Sequence, residues 1–592
     1  MGRKWTFHPH DAAAVRRLSG QLSVSPLVAQ VLIARGRGEP DAARKFLDAR
    51  LSDLHDPALL PGIDTAADAV VRAVQAGRRI TIYGDYDVDG VTGTSLLWHC
   101  LQLCGAQVDY YIPCRMEEGY GLNETAIRQL HEEDPGRLLI SVDCGIASVS
   151  EATLARELGL ELIITDHHQF GAELPNAAAL VHPRLPGSEY PFGELCGAGV
   201  AFKLAWAVCQ RLGEGRRASP RMREFLKQAV SLAALGTVAD VVPLHEENRI
   251  LVRYGLQTLK QQSSIGMQAL LRASGLMDKA ELQADDIGFS LAPRINAAGR
   301  LGQARLAVEL LTTDNTERAI ALADYLNQLN ENRKTVERRI LKQAKELVEQ
   351  NPAWEGHRTL VLAHHEWHPG VIGVVASRVA EHFSRPTVLI ALREDGIGAG
   401  SGRSWAGFDL YNGLTACREH LLTFGGHRAA AGLKVKSGNV AAFRESLAAW
   451  AADHFHPTAD DTQLRIDAEV MLSEVSLKSV QELARIGPFG HENPQPRFMC
   501  SHVQLAEPPR TMGEGGRHLA IRVRQHGTVI RGVCFGRGDW AEQLGKQTEP
   551  FSISFAPVIN TFQGMTKVEI QLIDWKPAGE PMNVSVQHDA PE

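Results

Sequence analysis

Four short segments of this chain carry carboxylates and imidazoles at spacings that metal chemistry could use. In YGDYDVDG (Tyr83 to Gly90) the aspartates Asp85, Asp87 and Asp89 alternate, directly after the apolar run Ile80 to Ile82. Three carboxylates in a glycine-permitted turn are costly unless cations neutralise them. Asp143 closes the run LLISVD, Asp166, His167 and His168 follow LELIIT, and Asp240 stands in GTVADVVPL after a helical stretch. A single aspartate at a strand end is most often a turn former. Adjacent histidines beside an aspartate, however, suit a divalent metal that takes both oxygen and imidazole ligands. Four such strand-end segments would converge on one edge of a sheet. Two other readings of the first segment fail. An EF-hand loop would need glutamate where Leu96 stands, and a phosphate-binding P-loop would need lysine where Val91 follows Gly90.

A buried parallel sheet is what must position these groups. RITIYG, VDYYIP, LLISVD and LELIITD are short apolar runs, each followed by a helix-length segment, which is the pattern of βαβ units. Ligands of such sheets bind beyond the carboxyl ends of the strands. Before this, residues 1–75 show Ala/Leu/Val periodicity cut by Gly36, Gly38 and the turn Pro57 to Gly62, which predicts several short helices and no chemistry. Over 313–350 the pattern is one long helix of about 50 Å, opened by Asp314 and Glu317 at capping-box spacing. Its middle, QLNENRKTVERR, is polar nearly all round, as expected of a helix bridging two domains through solvent. A second α/β pattern (TLVLAHHEW, VIGVVASRVAEHF, TVLIAL) runs over 351–456. From Leu464 the period becomes two, predicting an all-β unit over 460–576 with Arg522, Arg524, Arg531 and Arg537 on or beside its strands, followed by a loose tail, 577–592.

Bulk properties set the limits. A chain of 592 residues implies about three to five domains. A net charge of −7 provides no uniform basic field, so any nucleic-acid contact must be local. Nine cysteines without a CxxC pair fit neither a disulfide framework nor a thiolate zinc site, and Cys100 and Cys104, at helical spacing, read as core. A reducing cytoplasm is the simplest compartment. No stretch is long and apolar enough to span a membrane, and the N-terminus lacks a secretory pattern.

The set DYDVDG, SVDCG, TDHH and VADVVPL resembles the DHH phosphoesterase superfamily. APRINAAGR (Ala292 to Arg300), EWHPGVIGVVASR (Glu366 to Arg378), GSGRS (Gly400 to Ser404) and FGGHRAAAG (Phe424 to Gly432) extend the likeness, over almost the whole chain, to that superfamily's bacterial single-strand-specific exonucleases. The resemblance implies a DHH catalytic domain at 76–312, joined by the long helix to an α/β DHHA1 domain marked by FGGH. An OB-fold-like nucleic-acid-binding domain would occupy 460–576. It implies Asp87, Asp89, Asp143, His167 and Asp240 as ligands of two Mn2+ or Mg2+ ions, with Asp143 bridging. His168 would face the substrate, while Asp85 and Asp166 would support the turn and orient an imidazole. Arg115, Arg294, Ser401 and Arg403 would hold the strand backbone or a terminal phosphate, arginine being suited by its planar fork. Gly425, Gly426 and His427 would bring backbone amides to an anion. Tyr83 stands where several members place a histidine, four residues before the first ligand aspartate, which leaves the ion at Asp87 few protein ligands. The implied activity is 5′-to-3′ hydrolysis of single-stranded DNA to 5′-mononucleotides, in DNA repair and recombination. A monomer in the bacterial cytoplasm, free of membrane, with a single-strand-binding protein and a RecQ-type helicase as protein partners, belongs to the same expectation. Two other expectations compete with it. A DHH hydrolase of short oligonucleotides or dinucleotides would need only the two α/β domains, and a non-catalytic replication-fork scaffold would not need the ligand set.

Overall fold

A computed structural model describes residues 4–8, 10–114, 118–213, 217–351, 354, 356–457, 463–562 and 565–577. Contacts divide the chain into two units, Leu54–Val242 with Leu251–Asp461, and Met1–Asp53 with Pro243–Ile250 and Thr462–Glu592.

The first unit is built around a five-stranded parallel sheet in the order Gln107–Tyr111, Arg79–Gly84, Leu138–Val142, Glu161–Thr165, Ala179–Val181. Its central strands are buried on both faces, which is why they read as unbroken apolar runs. Gly84 lies opposite Val142, and Val142 opposite Thr165, so all three strands stop at one level. The next residue of each is an aspartate, and its amide still donates to the neighbouring strand: Asp85 to Val142 O (3.2 Å), Asp143 to Thr165 O (3.0 Å) and Asp166 to Val181 O (3.1 Å). The sheet thereby sets three carboxylates side by side. Helices Val88–Leu103, Gly197–Arg211 and Pro220–Ala239 pack against one another beside it.

The helix Thr316–Glu349 runs for 34 residues from this part of the unit to the second α/β part. Two details differ from the sequence expectation. The N-cap is Asn315, whose side chain accepts from the Arg318 amide, rather than Asp314. The polar middle is not surrounded by solvent either: Leu326, Leu329, Asn330 and Glu337 are buried. The Glu337 carboxylate pairs with Arg333 at 3.0 Å and with Arg378, from helix Pro369–Phe383, at 2.8 Å. Gln328, Glu331, Asn332, Thr335, Arg338 and Arg339 remain exposed, so one face of the stretch meets solvent while the other buries Glu337 in its ion pairs. The sheet beyond it is mixed. Leu360–His364 and Thr387–Leu392 are parallel, and Ile397–Arg403, Ala430–Lys436 and Leu421–Gly426 continue antiparallel.

In the second unit, Phe498–Leu505, Phe551–Phe562, Met565–Lys576, Thr528–Cys534 and His518–Gln525 pair in that order, and the last pairs back to the first, closing a five-stranded barrel. Inward residues such as Phe498, Val503, Ile521, Ile553, Phe555 and Leu572 form its core. The N-terminal segment is part of that core. Helices Ala12–Leu22, Pro26–Ala34 and Pro40–Leu47 add Leu18, Val28, Leu32 and Phe46, while the short strand Trp5–Phe7, not foreseen from the sequence, pairs with Leu464–Ile466. The fully buried Arg249 donates to Phe46 O, Arg485 O and Ile486 O, capping carbonyls at two helix ends. Of the tail expected at 577–592, all but Pro577 lies outside the described residues. No described helix is long and apolar enough to cross a membrane.

Candidate metal centre

At the carboxyl edge of the parallel sheet the ligand atoms of Asp89, His167 and Asp240 lie within 4.8 Å of one another. Those of Asp85, Asp87 and Asp143 form a second such group, and Asp143 also gathers with His167 and His168. Asp143 therefore belongs to both sides of the centre. Its φ of 64° puts it in the left-handed region, which aspartate tolerates better than most residues, and the Tyr120 hydroxyl donates to its carbonyl at 3.2 Å. Asp240 enters from the C-terminus of helix Pro220–Ala239 rather than from a strand end, because the segment GTVAD continues a helix. Asp89 opens helix Val88–Leu103, and its carboxylate accepts from the amides of Gly197 (2.6 Å) and Ala198 (2.9 Å) at the start of the facing helix. Asp87 caps its own helix by accepting from the amides of Asp89 and Gly90.

The donor set fits divalent cations on this structure's own terms. Asp85 Oδ1, Asp143 Oδ1 and His167 Nε2 are buried without a hydrogen-bond partner, an arrangement that costs about 1–3 kcal/mol for each neutral group and more for a charged one. His167 Nε2 stands 3.1 Å from Asp143 Oδ1, 3.5 Å from Asp240 Oδ2 and 3.8 Å from Asp89 Oδ2. Burial pushes the His167 pKa down to about 4, more than nearby Asp89 raises it, so the imidazole is neutral at pH 7. His167 Nε2 and Asp143 Oδ1, 3.1 Å apart yet joined by no hydrogen bond, are placed to share one cation. Burial, together with the surrounding carboxylates, raises Asp85 and Asp143 well above the usual carboxyl range and lifts Asp240 to about 8. Oxygen-rich groups sharing one buried imidazole are suited to Mn2+ or Mg2+.

Around these ligands a second layer holds the imidazoles in place. Asp166 Oδ1 accepts from the amides of His167 and His168 and bonds His168 Nδ1 at 2.8 Å, while Oδ2 accepts from the Ile146 amide. Burial alone would raise Asp166 and lower His168. Their mutual hydrogen bond and charge outweigh it, holding Asp166 near 2 and lifting His168 to about 9. The half-exposed His168 ring also meets the Tyr120 hydroxyl at 3.1 Å. His182 Nε2 bonds the His168 carbonyl, and Arg184 donates to the His167 carbonyl at 2.7 Å.

Several of these groups escaped the sequence reading. Tyr120, His182 and Arg184 act on the ligands' supports and carry no spacing signal. Gly197 and Gly236 are required by close approach: a Cβ on Gly197 would lie 2.5 Å from Asp143, and one on Gly236 would overlap Asp89 Oδ1. The available signal was small residues in otherwise bulky apolar helices, CGAGV and ALGTVAD. Asp85, expected only to support the turn, stands among the ligand atoms. Tyr83 points away from the centre, buried, with its hydroxyl on Gly121 O and its ring stacked on Tyr111.

The expected substrate contacts are placed as follows. Arg115 lies outside the described residues. Arg294 donates to Ser290 O (2.6 Å) and Asn327 Oδ1 (3.0 Å). Ser401 and Arg403 share the strand Ile397–Arg403, where the guanidinium reaches Ser401 Oγ at 3.1 Å. Gly373 approaches both so closely that a Cβ there would lie 2.9 Å from Ser401 Oγ and 3.0 Å from Arg403 Nη2. Gly426 pairs with Ala431, which pairs with Gly402, and the His427 amide donates to Ala430 O opposite Arg403. Arg403 and the Gly425–Gly426–His427 turn thus share one end of the mixed sheet. Helix Ala292–Arg300 connects this end to the aspartate turn, since Gly299 packs directly on Tyr86 O and Arg300 donates to Gly370 O at 3.0 Å. Of the four arginines on the β unit, Arg522, Arg531 and Arg537 pair with Glu507, Glu569 and Asp539.

Carboxylates and a histidine pair at the carboxyl edge of a parallel sheet define a DHH phosphoesterase, and the model of the DHH family, N-terminal domain, matches residues 79–237. The DHHA1 domain model matches 356–453 and the RecJ OB domain model 466–574. The single-stranded-DNA-specific exonuclease RecJ of Bacillus subtilis (strain 168) is 39% identical over 573 residues, covering 96% of this chain and 70% of that protein. The enzyme of the same name from Dickeya dadantii (strain 3937) is 36% identical, with 88% and 92% covered. The crystal structure of RecJ in complex with Mn2+ from Thermus thermophilus superimposes with a TM-score of 0.81 at 32% identity, covering 98% of this chain and 80% of that one. This chain belongs to the RecJ family of single-stranded-DNA-specific exonucleases.

Proposed function

We propose that this chain hydrolyses single-stranded DNA from its 5′ end to 5′-mononucleotides with two Mn2+ or Mg2+ ions, as part of DNA repair and recombination. The observation that carries the reading is the pair of ligand groups joined through Asp143. Asp89, His167 and Asp240 would hold one ion and Asp87 the other, with Asp143 shared by both and Asp85 beside it. Bound there, the ions lower the pKa of a water and stabilise the charge that builds on the phosphoryl and leaving oxygens. The chain's own groups do the positioning. Backbone amides of Gly197 and Ala198 fix Asp89, and Asp166 aims the charged His168 at the open side of the centre, where it meets a phosphate oxygen. Ser401 and Arg403, with Arg115, take the terminal phosphate, Arg294 an internal one, and Gly425, Gly426 and His427 present amides to the backbone. The RecJ OB domain match supports a polymeric substrate over a dinucleotide. The test is incubation of end-labelled single-stranded and duplex DNA with Mn2+ or Mg2+, with and without chelator. Mononucleotides released from the 5′ end of single strands, and lost on chelation, are expected. Digestion from the 3′ end, or undiminished activity in chelator, would overturn the reading.

A further inference from the structure

Three of the free cysteines meet on a pair of helices that also serves the metal centre. Helices Val88–Leu103 and Gly197–Arg211 start together, since the Asp89 carboxylate in the first turn of one accepts from the Gly197 and Ala198 amides that open the other. About 16 Å further along the first helix, Cys100 Sγ stands 3.9 Å from Cys209 Sγ on the second, near the ends of both. Both thiols are fully buried, so a solute in water reaches neither. Cys104, which caps the first helix one turn beyond Cys100, is partly exposed. A hydrogen bond from the Cys100 thiol holds Cys104 below the ordinary thiol range, outweighing its burial. The bonds to Cys104 and Cys209, and burial after them, push Cys100 well above that range. An isolated buried cysteine is inert core. These three differ from that case because their sulfurs form a chain of contacts from the surface inward, and the accessible member favours the thiolate, the form that reacts with peroxide.

We infer that Cys104, Cys100 and Cys209 are a peroxide-sensitive thiol site whose oxidised form is a Cys100–Cys209 disulfide, stapling the two helices together at the end remote from Asp89. The Cys104 thiolate attacks hydrogen peroxide and the O–O bond breaks. One oxygen stays on sulfur as the sulfenic acid, and the other leaves as hydroxide, which the proton given up by the thiol converts to water. Cys100 then attacks the Cys104 sulfur: an S–S bond forms, the S–O bond breaks, and the departing hydroxide takes the Cys100 proton as a second water. That first disulfide spans one helical turn, where Cβ atoms sit about 5–6 Å apart, beyond the roughly 3.5–4.5 Å that a disulfide accepts. Its strain makes it labile. Cys209 attacks the Cys100 sulfur, the Cys100–Cys209 bond replaces the first, and Cys104 leaves as a thiol carrying the Cys209 proton. One peroxide has become two waters and two thiols have been oxidised. The final bond asks the sulfurs to close from 3.9 Å to about 2 Å, and it links positions 109 residues apart.

Titration of the Mg2+-loaded full chain with hydrogen peroxide tests this, and because no DNA is involved the outcome is independent of the nuclease reading. After unfolding and alkylation of the remaining thiols, peptide mass spectrometry with fragmentation should find one link, between Cys100 and Cys209, and dithiothreitol should restore both thiols. Cys104→Ser should slow formation of that link about tenfold or more, and Cys209→Ala should stop the sequence at a Cys100–Cys104 link. Because the staple constrains the unfolded chain, oxidised wild type should melt roughly 2–5 °C above reduced wild type. Reduced Cys104→Ser, changed at a partly exposed position, should melt with the reduced wild type. Cys104 carried to sulfinic acid while Cys100 and Cys209 stay open to alkylation would overturn the inference, as would a link that forms as fast in Cys104→Ser as in wild type. A link that forms without raising the melting temperature would overturn the stapling role.

Discussion

Replacing Asp143 with asparagine separates charge from shape at the group that joins the two halves of the centre. Its ligand oxygen lies within 4.8 Å of those of Asp85 and Asp87. At that distance and an effective dielectric of about 20, two full charges repel by about 3.5 kcal/mol. Burial first, and these neighbours with Asp89 and Asp240, push Asp143 well above the ordinary carboxyl range, so proton uptake relieves part of the repulsion in the metal-free protein. An amide removes the rest and gives His167 Nε2, 3.1 Å away, a donor to bond. The expected gain for Asp143→Asn without metal is about 1–3 kcal/mol, a rise in Tm of about 2–6 °C. With Mn2+ the order reverses. Wild type gains about 2.7 kcal/mol at a hundred times its Kd, the variant gains little, and its hydrolysis of single-stranded DNA falls about a thousandfold or more, the several kcal/mol that charge stabilisation by a metal is worth. Calorimetry on chelator-treated and Mn2+-loaded proteins, with hydrolysis measured alongside, reads all three quantities. A variant less stable than wild type without metal, or one that keeps the wild-type response to Mn2+, would refute the reasoning.

Three further outcomes are expected. Arg403→Ala should lose about ten- to hundredfold in kcat/KM on 5′-phosphorylated strands, the worth of one charge-assisted bidentate contact, and less on 5′-hydroxyl strands; equal losses on both would remove Arg403 from the terminal-phosphate role. A carboxyl whose folded-state pKa is raised contributes most below its ordinary value of 3.8, and its contribution drains away as the pH climbs towards about 8, as for Asp240. The Tm of the metal-free protein should accordingly fall by about 5 °C or more between pH 5 and pH 8, and Mn2+ should flatten that slope; a flat profile without metal would contradict the burial of unneutralised acids. Arg249→Met leaves three carbonyls without their donor, two of them buried, and should cost about 3–5 kcal/mol in urea unfolding of the barrel-bearing unit, with a loss under about 1 kcal/mol counting against it.

Much of the centre was legible because a parallel strand buried on both faces must be apolar throughout, so the first charge after Ile82, Val142 or Thr165 marks the sheet edge. Asp240 was legible as a carboxylate after a helical stretch in apolar surroundings, and it does end helix Pro220–Ala239; only its grouping with the strand ends was off. The position of Asp85 beside Asp87 and Asp143 was hidden because period-two spacing does not say which of three alternating carboxylates the turn brings together. A polar stretch such as QLNENRKTVERR reads as solvated unless its charges pair, and Glu337 does so with Arg378, which lies 41 positions away. Periodicity likewise announces that a helix has an apolar face without saying what covers it. That is why residues 12–47 looked idle, although Leu18, Val28, Leu32 and Phe46 pack among barrel strands.

That shared core has a bearing on how the chain is made. Between Leu47 and Val470, whose side chains belong to one cluster, lie roughly 420 residues, and a ribosome adding about 5–20 residues per second needs roughly 20–80 s to span them. The three N-terminal helices leave the ribosome first and wait longest, their apolar faces open, while the parallel sheet emerges behind them with all its strands inside about 100 residues. A nascent chain therefore carries a completed parallel sheet behind N-terminal helices that still lack their barrel, the state in which a chaperone has most to hold. A stop codon anywhere before the last strands leaves both ends uncovered at once: removing 460–576 strips the cover from residues 12–47 as well, so a truncation meant to isolate the catalytic unit has to begin near Leu54 and end before Thr462.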